Sequence, residues 1–407
     1  MIKVQKSSII MLITFIPLLL PDGFYSLLGI PMKARLIFWG LDLVFLFFLL
    51  FKRKANLSMQ FILLMLIYAT IFYSAYKHGE LTSVLSNNFC GMVMCVAFEY
   101  WLKNQFCKTI NFLYYTLFIM IGVNFILLLF FPNGLYVSTY NFTNVTLANR
   151  LTYNLNWLFG YKNNQFGYTL PFLALTCIYG YVNKKKVNVF AFLICILSEA
   201  MAKATMATVL ITICTVTVFF IINGKNSLNT IAKKIYDVRT IIFSTIIVFF
   251  SIVLFNSNNY IANIIGHISI FLGKNSNFNN RSAIWEVAIN FIKQSPLIGY
   301  GNINSEVFIE QSRVLGGTHA HNYILHLLIL GGAVCLIEHI FLYLIIIKEI
   351  EKNKSSIAEI MGIILGLFFV DGITSINFYY PLFNPIFILS FYSIEYYKTL
   401  QMKNIAT

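Results

Sequence analysis

The side chains best suited to chemistry lie in the stretch 316–323, which reads GGTHAHNY, closes a long polar segment and opens an apolar run. An imidazole titrates near neutral pH, so His321 or His319 is suited to take a proton from a hydroxyl as a general base. Two other interpretations stay open here. One is a metal site, although histidines at i and i+2 need further ligands, and the other is a helix start capped by Thr318 or Asn322.

A second candidate is Arg281, which opens a segment of helical periodicity that ends before Pro296. Asn279 or Asn280 would cap this helix, and an arginine in a first turn adds its charge to free backbone N–H groups to form an anion site. The alternative is a surface arginine that reaches lipid phosphate. The apolar stripe around Trp285 predicts a helix in the outer membrane interface, with the indole at headgroup level.

These residues belong to a chain of 407 residues that is 58% hydrophobic and only 11% charged. In soluble domains about a quarter of the residues are charged, so the composition predicts an all-α polytopic integral membrane protein. The net charge of +14 is explained by basic loops and not by binding to nucleic acid. The seven cysteines form no CxxC pattern and lie outside both long polar loops, and we expect no metal and no cofactor.

Apolar runs of roughly 20 residues predict about twelve membrane helices in a single membrane domain over 1–407. We place them at 5–21, 35–51, 57–76, 83–102, 109–131, 166–182, 187–203, 204–222, 239–256, 321–347, 356–376 and 383–397. Basic clusters such as 52–54 and 184–186 fall at every second connection, which predicts that both termini are cytoplasmic. Two long loops, 132–165 and 257–320, are then outside, and the second is expected to carry interfacial helices.

Polar residues inside these predicted helices are further candidates, because they are costly in lipid. Asp371 is expected about 7 Å below the outer surface, at the depth of His326, and could orient a catalytic group. Glu338 is expected about 25 Å beyond His321, on the cytoplasmic side. Lys203 lies at an outer helix junction, where an i, i+4 ion pair with Glu199 is the structural alternative. The Asn- and Tyr-rich loop 132–165 suits sugar binding, or is a polar loop without a ligand.

Several of these elements follow one another along the chain in an order that is informative as a set. They are Lys162-Asn163 before a predicted membrane helix, then Arg281 with Trp285, the turn Pro296–Gly301, and His321-Asn322 followed by Gly331-Gly332. In this order they resemble the O-antigen polymerase and ligase family, over roughly residues 160–345.

The resemblance implies a glycosyltransferase that uses undecaprenyl-pyrophosphate-linked sugars without a metal or a nucleotide sugar. It implies that His321 assists the acceptor hydroxyl and that Arg281 holds the pyrophosphate. Lys203 stands where the family usually has arginine, and it keeps the charge but loses bidentate phosphate geometry. Supporting roles are expected for a group of nearby residues: Asn322, Asp371, His319, Arg313 and Trp285.

The function expected from this resemblance is polymerisation of capsule or O-antigen repeat units at the outer face of the cytoplasmic membrane of a bacterium. The alternatives are a glycan ligase of the same family and, from another class, a lipid-linked oligosaccharide flippase or transporter. Expected partners are the lipid-linked donor and acceptor, the bilayer, a flippase and a chain-length regulator.

Overall fold

Helices make up most of the computed structural model, which describes residues 6–52, 56–140, 152–223, 237–239, 241–243, 246, 281–314, 317–353 and 355–405. The predicted span 239–256 falls almost wholly outside these residues, as do 141–151 and 257–280 of the two predicted loops, the proposed caps Asn279 and Asn280, and Gly316. The helices are α1 (Lys6–Leu19), α2 (Asp22–Leu27), α3 (Met32–Lys52), α4 (Met59–His78), α5 (Leu81–Phe130), α6 (Phe166–Val182), α7 (Val189–Met201), α8 (Thr205–Asn223), α9 (Arg281–Gln294), α10 (Ser305–Ser312), α11 (Tyr323–Asn353), α12 (Ser356–Asp371) and α13 (Pro385–Ile405).

Five helices in the described residues are long and apolar enough to cross a membrane: Met32–Lys52, Met59–His78, Asn88–Phe130, Thr205–Ile222 and Tyr323–Asn353. Two shorter helices, Ser7–Leu19 and Val189–Met201, are also apolar. The prediction of an α-helical membrane protein is therefore confirmed, and the number of twelve spans stays a prediction.

Helix α5 is a hairpin of two helices and not one rod. Its backbone leaves helical geometry at Gln105, where φ is −146° and ψ is 53°. The Thr109 hydroxyl donates to the carbonyl of Trp101, eight residues earlier, at 3.1 Å. A continuous helix would separate these positions by about 12 Å, so the chain reverses between the two predicted spans 83–102 and 109–131.

The described part of the first predicted loop forms a small antiparallel sheet that was not predicted from the sequence. Strand β1 (Tyr136–Tyr140) pairs with β2 (Thr152–Trp157), and β2 pairs with β3 (Gly160–Tyr161). Aromatic and β-branched residues in these segments favour strands. The Trp157 indole donates to the carbonyl of Phe131 at 2.8 Å, which fastens the sheet to the end of α5.

Helix α9 packs its apolar stripe against protein, so the predicted contact of Trp285 with lipid headgroups is wrong, while the interfacial position of the helix stays a prediction. Trp285 is only 4% exposed and belongs to a cluster with Ile284 and Ala288. Phe308 of α10 and Leu325 at the start of α11 complete this cluster. The apolar stripe was identified correctly, but α10 and α11 cover it instead of lipid.

Helix α11 is interrupted at Gly332, where φ is 64° and ψ is −159°. The two N–H groups that follow the break, those of Ala333 and Val334, would normally bond four residues back in the helix. Instead they donate to Pro296 at 2.8 Å and to Leu297 at 3.2 Å. The break is therefore bonded to the turn 296–301 that follows α9.

The same turn also supplies donors to the carbonyls that the break sets free. The N–H of Tyr300 donates to Ile329 and that of Gly301 to Leu330, both at 2.7 Å. A Cβ at Gly299 would overlap the carbonyl of Ile329, so this approach requires glycine. Four backbone bonds to the turn replace the two that the helix loses, which meets the requirement for paired backbone groups inside a bundle.

The break changes where the rest of α11 lies. The turn packs near the end of α4, where the Ser74 hydroxyl donates to the carbonyl of Ile298. Six residues beyond Gly332, the Glu338 carboxylate accepts a hydrogen bond from Thr70 at 3.1 Å. Glu338 therefore lies near the middle of α4, and its predicted position at the cytoplasmic side is wrong because α11 is not one straight helix from His321.

We expect Gly332→Ala to destabilise the protein by about 2 kcal/mol or more. Position 332 has a positive φ, which alanine rarely adopts, and a Cβ there would overlap the backbone of Leu297. Gly122→Ala in α5 is the matched control, since its Cβ meets nothing within 4 Å. That control should be neutral or stabilising by up to about 1 kcal/mol. Thermal midpoints in detergent measure both, and equal midpoints for the two variants would contradict the role assigned to the break.

Candidate active site

His321 is held in position by the residue that follows it. Asn322 caps α11, because its Oδ1 accepts the N–H of Leu325 at 3.0 Å. Its Nδ2 donates to the carbonyl of Ile373 at 3.1 Å, just beyond the end of α12. With Asn322 only 1% exposed and His321 in the left-handed region at φ 46°, the start of α11 is fixed on two sides.

Three histidines gather at this point, where sequence analysis expected one principal residue. The rings of His319 and His321 have centroids 3.9 Å apart, and His326 lies 6.5 Å from His319. His326 is 3% exposed and meets the ring of Tyr379 edge-on at 4.9 Å. Within the described part of the chain, no group of three or more His, Cys, Asp or Glu side chains has the arrangement of a metal site.

The electrostatic environment keeps His319 neutral. Burial lowers its pKa well below the usual value, and the charges of His321, His326 and Arg281 lower it further. Its Nδ1 is 2.7 Å from the Thr318 hydroxyl, which fixes the ring. His319 is therefore a neutral hydrogen-bonding group beside His321.

Arg281 lies in the same site and faces an acidic residue from another helix. Burial lowers the pKa of Arg281, while the carboxylate of Asp371 raises it. Asp371 is 3% exposed at the end of α12 and accepts a hydrogen bond from Ser375. Asp371 therefore lies near the site, as predicted, but the charged side chain beside it is Arg281.

Tyr380 joins this acidic group to the loop that precedes α6. Its hydroxyl donates to the carbonyl of Asn163 at 3.0 Å. Burial raises the pKa of Tyr380 well above its usual value, the charges of Asp371 and Glu199 raise it further, and a hydrogen bond with Ser375 lowers it. Tyr380 and Ser375 were not predicted, because no spacing in the sequence connects them to Arg281 or His321, and His326 was predicted only to share the depth of Asp371.

A cavity of about 350 Å³ opens beside His319. We call it the Glu80 cavity after a carboxylate in its wall. It lies between the start of α5, the segment before α10 and the histidine stretch, and its lining residues are Glu80, Ser83, Asn302, Ile303, Asn304, Ser305, Thr318, His319 and Tyr379.

Residues 167–340 match a family model described as O-antigen ligase. We call this stretch the O-antigen ligase domain, after the description of the model that it matches. The predicted resemblance over roughly residues 160–345 is thereby confirmed. No curated protein and no solved structure matches the chain. The O-antigen ligase domain contains Lys203, Arg281 and the histidines, whereas Asp371 and Glu80 lie outside it.

Lys203 stands at a strained position of the O-antigen ligase domain. Its φ of 58° is left-handed, and its N–H donates to Ala200 while that of Ala204 donates to Glu199, at 3.0 and 3.1 Å. This is a Schellman motif, whose left-handed position is usually glycine. Lys203 is exposed and makes no ion pair with any described residue, and Glu199 instead accepts a bond from Thr169 at 2.6 Å. The alternative of a Glu199–Lys203 ion pair is therefore wrong.

Two further residues of the O-antigen ligase domain that were predicted to support the site are Trp285 and Arg313, and one is buried while the other is exposed. Trp285 is buried in the apolar cluster beneath α9, where it anchors the helix that begins at Arg281. Arg313 is exposed at the end of α10 in a left-handed conformation, with φ 55°, and its N–H donates to Ile309 at 2.8 Å. Trp285 therefore acts through packing, and Arg313 forms part of no buried group.

We expect Lys203→Gly to stabilise the protein by about 1 kcal/mol, because glycine removes left-handed strain. Lys184 is a matched control in the same motif: its φ is 52°, and the N–H groups of Lys184 and Lys185 donate to Tyr181 and Gly180. Thermal midpoints should rise in both variants, and glycosyl transfer should fall only in Lys203→Gly. An unchanged rate of glycosyl transfer in both variants would contradict the assignment of Lys203 to the active site.

Proposed function

We propose that the protein polymerises undecaprenyl-pyrophosphate-linked oligosaccharide repeat units of a capsule or O-antigen, at the outer face of a bacterial cytoplasmic membrane. Members of the O-antigen ligase family transfer glycans, and the apolar helices make this chain an integral membrane protein. One observation carries the proposal. A histidine pair with ring centroids 3.9 Å apart lies within the electrostatic influence of the half-buried Arg281 inside the O-antigen ligase domain.

In the proposed reaction, the hydroxyl oxygen of an incoming lipid-linked unit attacks the anomeric carbon of the growing glycan. The new bond joins that oxygen to the anomeric carbon, and the bond from this carbon to the pyrophosphate oxygen breaks. His321 takes the hydroxyl proton, and the electron pair of the broken bond leaves with undecaprenyl pyrophosphate. Pyrophosphate is a good leaving group, so the site mainly has to position the two substrates.

Arg281 is suited to stabilise the charge that develops on the pyrophosphate. It begins α9, where free backbone N–H groups and the helix dipole also favour an anion. Asp371 offsets the cost of burying the guanidinium when no substrate is bound. Lys203, exposed and without an ion pair to the described residues, is proposed as a second cation for the same group.

A ligase that transfers the glycan to a lipid A core or to a protein is the second candidate, because the matching family is described as O-antigen ligase. The two candidates share donor chemistry and differ in the acceptor. The identity of the molecule that receives the glycan therefore separates them.

We expect His321→Ala and Arg281→Ala each to reduce polymerisation in the native host by about 100-fold or more, since general base and charge stabilisation both act in the transition state. Gel analysis of glycan chain length measures the loss, together with detection of single lipid-linked units at the cell surface. Lys293→Ala is the matched control, because Lys293 is an exposed cation at the other end of α9.

Each outcome of this experiment has a distinct meaning. Single units that reach the outside but are not extended support polymerisation, whereas units trapped inside indicate a flippase. Full-length chains in both variants would contradict the assigned roles. His319→Ala is expected to cause a smaller loss than His321→Ala, and an equal loss would mean that the two imidazoles act together.

A further inference from the structure

The Glu80 cavity has the size of a site for one small molecule. Its volume of about 350 Å³ is near the lower end of the range of roughly 300–1,000 Å³ that small-molecule sites occupy. Two of its walls are held together, because the Asn302 amide donates to the Ser83 hydroxyl. Asn304 caps α10 by accepting the N–H of Glu306 at 2.9 Å, which further fixes the segment that contains Asn302.

The groups that line the Glu80 cavity suit a neutral ligand with many hydroxyl groups. A carboxylate accepts hydrogen bonds from hydroxyls, and amide and hydroxyl side chains both donate and accept them. The ring of Tyr379, supported edge-on by His326, offers an apolar face for C–H groups. No lysine or arginine is among the described lining residues, so the wall offers nothing to balance the charge of a pyrophosphate.

Position links the Glu80 cavity to the reacting groups. His319 lines the cavity, and its ring centroid is 3.9 Å from that of His321. Burial, together with the electrostatic effects of His321, His326 and Arg281, lowers the pKa of His319, so it can exchange hydrogen bonds with a hydroxyl without carrying charge into the cavity. A ligand in the cavity therefore lies one side chain away from the proposed base.

We propose that the Glu80 cavity binds a sugar ring of the glycosyl acceptor, and that Glu80, Asn302 and Tyr379 select that ring. The inference rests on the proposed function, and it adds a neutral acceptor subsite next to the cationic site at Arg281. Glu80, Ser83 and Tyr379 lie outside the segment 167–340 that matches the family model, whereas Asn302 and His319 lie within it. The choice of acceptor is thus made partly by residues outside the O-antigen ligase domain.

Binding of free sugars tests this inference without requiring catalysis. The full-length protein in lipid nanodiscs is titrated by saturation-transfer difference NMR with glucose, galactose, mannose, rhamnose, N-acetylglucosamine and N-acetylgalactosamine. We expect at least one neutral sugar to bind the wild type, and to bind about tenfold more weakly to Glu80→Gln and to Asn302→Ala, because each loses a hydrogen bond to the ring. Tyr379→Phe keeps the aromatic face and is expected to retain binding.

Two controls make the result specific. Glu310→Gln removes an exposed carboxylate of α10 that does not line the cavity, and it should bind like the wild type. His321→Ala should also retain sugar binding, since the proposed base is not needed to hold the ring. Thermal midpoints of all variants identify any that lose affinity only through unfolding.

The inference is overturned if none of the six sugars binds, or if Glu80→Gln and Asn302→Ala both bind as the wild type does. Its failure is distinguishable from failure of the proposed function. If polymerisation requires His321 but not Glu80, the proposed function is supported and the proposed subsite is contradicted. If sugar binding depends on Glu80 but the length of the glycan product does not depend on His321, the subsite is supported and the proposed mechanism is contradicted.

Discussion

The position of the candidate site depends on how the broken helix α11 satisfies its backbone. A helix interrupted inside a bundle must find new partners for the N–H and C=O groups that it frees, because unpaired groups there are costly. The turn 296–301 provides all of them at Gly332. This junction fixes the end of α9 to the interior of α11, and Arg281 and His321 lie at the starts of these two helices.

A second constraint is the balance of charge in a site that is largely buried. Arg281 is accompanied by Asp371, and the charges of His321, His326 and Arg281 all help to keep His319 neutral. The result is a division of the site into a cationic side at α9 and a polar side at the Glu80 cavity, whose described lining residues include a carboxylate but no lysine or arginine. That division suits a reaction in which a neutral hydroxyl attacks the anomeric carbon while an anionic pyrophosphate leaves it.

Local features of this arrangement were predictable from the sequence. The helix that begins at Arg281, the cap at Asn322 and the apolar stripe of α9 all follow from spacing and residue type. A stripe shows that a helix buries one face, but not whether lipid or protein covers it. For that reason the predicted headgroup position of Trp285 was wrong.

Features that join distant parts of the chain were not predictable. Gly331-Gly332 was recognised as a motif, but a break that is stabilised by a turn about 30 residues earlier has no local signature. The approach of Asp371 to Arg281 and the contribution of Glu80 to the cavity likewise depend on tertiary packing. His319 was expected to matter less than His321, whereas it lines the cavity and its ring lies 3.9 Å from that of His321.

The most direct measurement is transfer by the purified protein in liposomes, with one synthetic undecaprenyl-pyrophosphate-linked oligosaccharide as both donor and acceptor. The account predicts that each new linkage releases one undecaprenyl pyrophosphate and yields a lipid-linked glycan one unit longer. It also predicts that His321→Ala slows this release by about 100-fold or more. Elongation at the wild-type rate in His321→Ala, or release of the lipid without extension of a lipid-linked acceptor, would contradict it.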